Sequence, residues 1–174
     1  MTQRRQGSNK IALSAILLAF CISTLFFQSV FPFANFTIYI ISSLYIAIVL
    51  IEIGIPYAIL FYFASCILSF LIVPNKVFLV PYFIFFGIYG LVKFGIEKIG
   101  NMPLEIILKL VIFNVIASMG MLFIRTMLFQ SISLPNLPII LIVVIFEIAF
   151  LAYDYFYTLF IDFYIKRIHK LIRL

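Results

Sequence analysis

Apolar residues in this chain come in long unbroken runs, with prolines and short polar stretches between them. The runs cover residues 11–30, 36–53, 57–73, 77–92, 104–129 and 139–164. Pro32, Pro56, Pro74, Pro103, Pro135 and Pro138 sit at their edges or between them. A proline lacks the amide donor and disfavours helix at the residue before it, so prolines collect between helices. Pro81 alone falls inside a run, where a kink or a late helix start is expected. Each run is close to the ~20 residues that cross a bilayer core, with some tilt allowed. Helices that are apolar all round are membrane spans, whereas the strands of a membrane barrel alternate in character. The pattern predicts an all-α membrane protein, a bundle of six transmembrane helices. Short connections favour antiparallel neighbours in one compact bundle.

Charge sets the expected orientation. Arg4, Arg5 and Lys10 precede the first run, Lys93 and Lys98 follow the fourth, and Lys166, Arg167, Lys170 and Arg173 end the chain. The other connections hold essentially Lys76, with Arg125 near the far end of the fifth run. Lys and Arg accumulate on the cytoplasmic side, so both termini are expected there, in an inner or plasma membrane. The division is then a cytoplasmic segment at 1–10, one six-span domain at 11–165 and a basic tail at 166–174. The start resembles a signal sequence, but its apolar run is long and has no convincing cleavage site, so an uncleaved first span is expected.

Composition agrees. The 174 residues are 66% hydrophobic and 10% charged, against about 25% charged in soluble domains. The net charge of +6 is explained by topology and is not a nucleic-acid signal, which would need a basic folded face. Cys21 and Cys66 lie within apolar runs and are expected as unpaired thiols. The one histidine, His169, lies in the tail, and no spacing suggests a metal or a cofactor. No catalytic motif is present, so an enzyme is not expected. Asn35-Phe36-Thr37 fits a glycosylation pattern but lies against a predicted span. Tyr153, Tyr155, Tyr157 and Tyr164 are expected to gather at the inner interface of the last span. The 22 Phe residues read as packing and lipid-facing bulk.

The last run concentrates the chemistry. It carries Glu147, Asp154 and Asp162, half of the six acidic residues. A carboxylate inside hydrocarbon costs roughly 2.5–3.5 kcal/mol on insertion scales and needs a partner, a proton or a wet cavity. Glu147 and Asp154 are seven residues apart and so share a helix face. Asp162 is rotated off that face, near the headgroups. The fifth run goes the other way, which sets Lys109 at the depth of Asp154 and Asn114 at the depth of Glu147. An intramembrane Lys109–Asp154 ion pair is expected, with Glu147 and Asn114 as a candidate substrate or proton site. The Lys109–Asp154 pair reads first as glue between helices, and Glu147 reads equally as glue or as a site.

Other signals are weaker. Ala12, Ala15, Ala19 and Ser23 form a strip of small side chains on the first span, suited to close helix approach, either internally or against a partner. Gly87 and Gly90 beside Tyr89 suggest a close approach or a bend. Lys93, Glu97, Lys98 and Glu105 read as a solvated cytoplasmic corner that Glu52 could face, with Lys93 and Glu97 forming a helix-end pair.

The opening KIALSAILLAF (residues 10–20) resembles that of S components, the substrate-binding membrane subunits of energy-coupling-factor transporters. That likeness implies about six spans, both termini cytoplasmic, and an Ala-x-x-x-Ala strip, here Ala15 and Ala19, that docks on a transmembrane coupling subunit driven by ATPases. FFGIYG (residues 85–90) followed by LKLVIFNV (residues 108–115) looks like a group of small bacterial multi-span proteins with no established activity. No substrate-contacting set of a vitamin-specific S component is matched. The expected function is an S-component-like subunit that captures a small molecule for an ATP-driven uptake complex. The alternative is a structural or assembly subunit that organises partner membrane proteins, and proton coupling through Glu147 is a third route.

Overall fold

A computed structural model describes the backbone of residues 2–30, 35–128 and 139–168 and most of their side chains. Arg4, Arg5, Arg125, His169, Lys170 and Arg173 lie outside the described side chains, and Pro32, Pro135 and Pro138 outside the described backbone. Six α-helices follow one another: α1 (Thr2–Val30), α2 (Asn35–Glu52), α3 (Ile55–Ile72), α4 (Gly87–Glu97), α5 (Met102–Leu128) and α6 (Ile139–Phe163). A 3-10 turn (Lys76–Leu79) and a π segment (Tyr82–Phe86) lead into α4, and a π turn (Tyr164–Ile168) follows α6. With its lead-in, the α4 stretch runs Lys76–Glu97, so six helices are long and apolar enough to cross a membrane. No strand occurs among the described residues.

Boundaries differ from the expected runs where proline chemistry allows. α3 begins at Ile55 and α5 at Met102, each taking a proline into its first turn, where the missing N–H has no helical partner to lose. α4 runs on past Val92 to Glu97, so most of the polar stretch after the fourth run is helix and not loop. Gly100, at φ 72°, then takes the left-handed conformation that ends the turn before α5.

Pro81 acts as expected of a proline inside a span. It cannot donate to the preceding turn, and the α-helix is replaced by the 3-10 turn before it and the π segment after it. Side chains from other helices reach the carbonyls there. Tyr39 Oη donates to the Phe78 carbonyl at 2.6 Å, Gln28 Nε2 to the same oxygen at 3.3 Å, and Tyr62 Oη to the Phe83 carbonyl at 2.6 Å. The break is thus fastened to α1, α2 and α3.

The second helix is the hub, packed against α1, α3, α4 and α6. It buries Ile38, Tyr39, Ser42, Ser43, Leu44, Ile46, Ala47 and Val49. Its serines stay small and bond their own helix: Ser42 Oγ donates to the Ile38 carbonyl at 2.8 Å and Ser43 Oγ to that of Ile40 at 2.6 Å. Ser43 also takes two tyrosines from α6. Tyr153 Oη donates to Ser43 Oγ at 2.9 Å, and Tyr157 Oη to its carbonyl at 3.1 Å. Tyr153, Tyr157 and Tyr164 are buried, with only Tyr155 of the expected interfacial group exposed. These three turn inward and each hydroxyl has a bonding partner on α2, Tyr164 finding Glu52 at 2.9 Å. A buried tyrosine needs only that one partner to hide its ring.

Between α2, α4, α5 and α6 the core is aromatic. The Phe85 ring lies 5.1–6.0 Å from those of Phe86, Tyr89, Phe113, Phe150 and Tyr153. Cys21 is buried and unpaired, 3.4 Å from Tyr82 Oη, which Ser65 Oγ meets at 2.8 Å. Cys66 is unpaired and half-buried. The outward faces are largely apolar, with Ile16, Leu60, Ile107, Leu122 and Ile148 exposed, a surface suited to lipid.

Both α4 glycines are close-approach sites. A Cβ at Gly87 would stand 2.8 Å from the Tyr62 ring, and one at Gly90 would overlap the Tyr157 hydroxyl. Gly90→Ala is expected to lower stability by about 1–3 kcal/mol, the usual cost of overpacking. Chemical unfolding in detergent measures it. Tyr157→Phe, which removes the obstructing oxygen, should shrink that loss; an equal loss in both backgrounds would show that the contact is not the cause.

Candidate functional site: a buried ring of alternating charges

The site is built at the hairpin of α4 and α5. Tyr89, Lys93 and Glu97 follow at four-residue steps on α4 and so share one face. The turn through Gly100 brings α5 back beside them and sets Lys109 against Glu97. The sixth helix adds Asp154 and, one turn on, Thr158.

The four charges alternate around a ring. Lys93 Nζ is 2.6 Å from Glu97 Oε1 and 2.6 Å from Asp154 Oδ1. Lys109 Nζ is 2.7 Å from Glu97 Oε1 and 3.1 Å from Asp154 Oδ2. Each cation therefore touches both anions, and the set is neutral. Tyr89 Oη donates to Asp154 Oδ1 at 2.5 Å, and Lys93 Nζ donates to Thr158 Oγ1 at 2.8 Å. Thr158 is fixed by donating to the Asp154 carbonyl at 2.9 Å. The Lys93 side chain is 1% exposed, Lys109 7%, Asp154 16% and Glu97 37%, so Glu97 is the one corner open to the outside. A crevice of about 10 Å³ beside Tyr89 and Lys109 has room for about one water.

Asn114 and Glu147 meet further along the same two helices, where Asn114 Nδ2 donates to Glu147 Oε1 at 3.2 Å. Asn114 also donates to the Leu110 carbonyl at 3.0 Å. Between this contact and the ring, Phe113 and Phe150 stack at 4.4 Å with planes 9° apart. The α5–α6 seam is thus polar, aromatic, then polar. The ring's cations and anions are already engaged with each other, so it is chemically a clamp. The Asn114–Glu147 contact is half-buried and carries a carboxylate with an amide partner.

Of the residues singled out in the sequence, the structure brings Lys109 to Asp154 and Asn114 to Glu147. Asp162 stands apart on the surface, 3.8 Å from Lys166. Lys93 does not belong to a solvated corner. It is among the most buried side chains of the chain, because α4 runs on past it and its face points at α6. Tyr89, Thr158 and the second role of Glu97 were also missed. The signal available was the Tyr89–Lys93–Glu97 spacing, which puts three polar groups on one face of a helix. Ala12, Ala15, Ala19 and Ser23 are all exposed, so the strip faces outward; Ser23 Oγ turns back to the Ala19 carbonyl at 2.8 Å.

Comparisons of the chain with protein-family models, with curated proteins and with solved structures found no match.

Removing one charge leaves its partners buried and unpaired, which costs about 3–5 kcal/mol, whereas removing a neighbouring opposite pair keeps the ring neutral. Lys109→Met and Glu97→Gln are each expected to destabilise the bundle, and the double variant to lose less than the sum by about 0.5–3 kcal/mol. Unfolding titrations of the four proteins measure this. Strict additivity would show that the ring does not act as a unit.

Proposed function

We propose that this protein is a multi-pass subunit of an inner or plasma membrane, with both termini cytoplasmic, that serves as a rigid scaffold organising partner membrane proteins. The observation that carries this reading is the filled interior among the described residues. Interlocking rings around Phe85 occupy the space between α2, α4, α5 and α6, and the buried charges satisfy one another. A small-molecule site usually needs roughly 300–1,000 Å³; the crevice between the packed helices beside Lys109 is about 10 Å³, and the larger groove beside α3 opens outward. A filled, neutral core suits a part whose work is done on its outside.

A second reading is favoured by a specific observation. The outward-facing Ala15 and Ala19 match the position where an S-component-like subunit would meet its coupling subunit. In that form the protein hands a small molecule to an ATP-driven module. Both readings use α1 as a contact surface, since small side chains let helix backbones approach closely. They part over what copurifies and whether a ligand is carried.

Extraction in mild detergent with a tag on this chain is the test. The scaffold reading expects membrane proteins without ATPases and no small molecule released on denaturation; a coupling subunit with an ATPase pair would overturn it in favour of transport. Ala15→Leu with Ala19→Leu should strip the partner away while changing the protein's own stability by no more than about 0.5 kcal/mol, as for other exposed sites. Undiminished partner recovery would remove α1 from the interface.

A further inference from the structure

Beside α3 runs a groove of about 290 Å³ that plays no part in the charge ring. Cys66, Ile67, Phe70, Leu71 and Phe83 line it, and it is open along its length. The first four come from the last two turns of α3 and form one stripe of that helix. Phe83 comes from the π segment that follows Pro81, so the groove lies where the regular helix is broken. The walls are almost wholly apolar.

A fixed cation stands beside Phe70, one of the lining side chains. The Lys76 ammonium donates to the carbonyls of Phe70 and Val73, the latter at 2.6 Å, and sits 5.0 Å above the Phe70 ring. These contacts close the C-terminal end of α3, whose last carbonyls have no helical donors. An ammonium has three N–H groups. Two are held here, and the third has no partner among the described residues. Lys76 also has no ion pair among the described residues, in contrast to Lys93 and Lys109. The result is a positive charge held in place against the ring of a residue that lines the apolar groove.

We propose that this groove binds one anionic phospholipid, with an acyl chain along α3 and the phosphate at Lys76; the inference rests on reading the chain as a membrane protein. The pairing selects the ligand. A free phosphate would meet Lys76 but leave the groove empty. A zwitterionic lipid would fill the groove and offer its phosphate, but would bring a second cation of its own beside Lys76. A lipid with net negative charge satisfies both parts best. The lipid would also cover the π segment, where Phe83 would otherwise stand open beside α3.

Native mass spectrometry of the full chain in detergent tests this, with phosphatidylglycerol and phosphatidylcholine of identical acyl chains as probes. The wild-type protein is expected to retain phosphatidylglycerol about fivefold better, as one basic residue near the headgroup gives. Lys76→Gln keeps amide donors for the two carbonyls but removes the charge, and should bring the two lipids to parity. Leu71→Trp, at an exposed position that leaves the core untouched, should fill the groove and lower retention of both. Equal retention by the wild type, a preference that survives Lys76→Gln, or no effect of Leu71→Trp each overturns the proposal. A wild-type chain that retains neither lipid and stays monodisperse without detergent would overturn the membrane reading itself.

Discussion

The Asp154 carboxylate holds this structure's most demanding position. It sits in an apolar bundle and is reached by two ammonium groups and a phenol, from α4 and α5. Burying a lone carboxylate there would cost several kcal/mol, and so would burying either lysine. Each charge is tolerable only because the others are present. That mutual dependence ties together three helices that otherwise meet mainly through rings. The fifth helix depends on it most, since Lys109 is the one buried side chain among its described residues, with Leu110, Phe113 and Asn114 partly buried beside it.

The other half of the bundle is organised by α2 and uses neutral groups. Serines on α2 and α3 meet tyrosines from α6 and from the π segment, and the break at Pro81 is closed by Tyr39, Tyr62 and Gln28. Hydrogen bonds of this kind each contribute about 0.5–1.5 kcal/mol net. They also fix register, because a helix shifted by one turn would strand several hydroxyls. The molecule thus has a hydroxyl-bonded side around α2 and a charge-bonded side around Asp154, joined by the aromatic layer at Phe85.

Much of this was legible in the sequence. The proline-punctuated runs gave the six helices, since a continuous apolar stretch has few other solutions. Counting depth along antiparallel neighbours put Lys109 opposite Asp154 and Asn114 opposite Glu147, where the structure has 3.1 and 3.2 Å contacts. Lys93 was not legible in the same way. It sits where an apolar run turns polar, and composition cannot say whether the helix stops or continues. The inward direction of three tyrosines at the end of α6 and just after it was not legible for a related reason. Their amphipathic rings suit exposure and burial equally well, and it is Ser43 and Glu52 of α2 that draw these hydroxyls inward. The outward direction of the α1 strip was also beyond the sequence, because small residues serve internal and external contacts alike.

The central claim is that the ring at Asp154 holds α5 in place. Hydrogen–deuterium exchange on Asp154→Leu, compared with the wild type in the same detergent, tests it most directly. The account predicts faster exchange concentrated in residues 102–113 of α5, with α1, α2 and α3 unchanged, because those helices are held by a separate set of bonds. Exchange that rises evenly over the whole bundle, or not at all in α5, would contradict it.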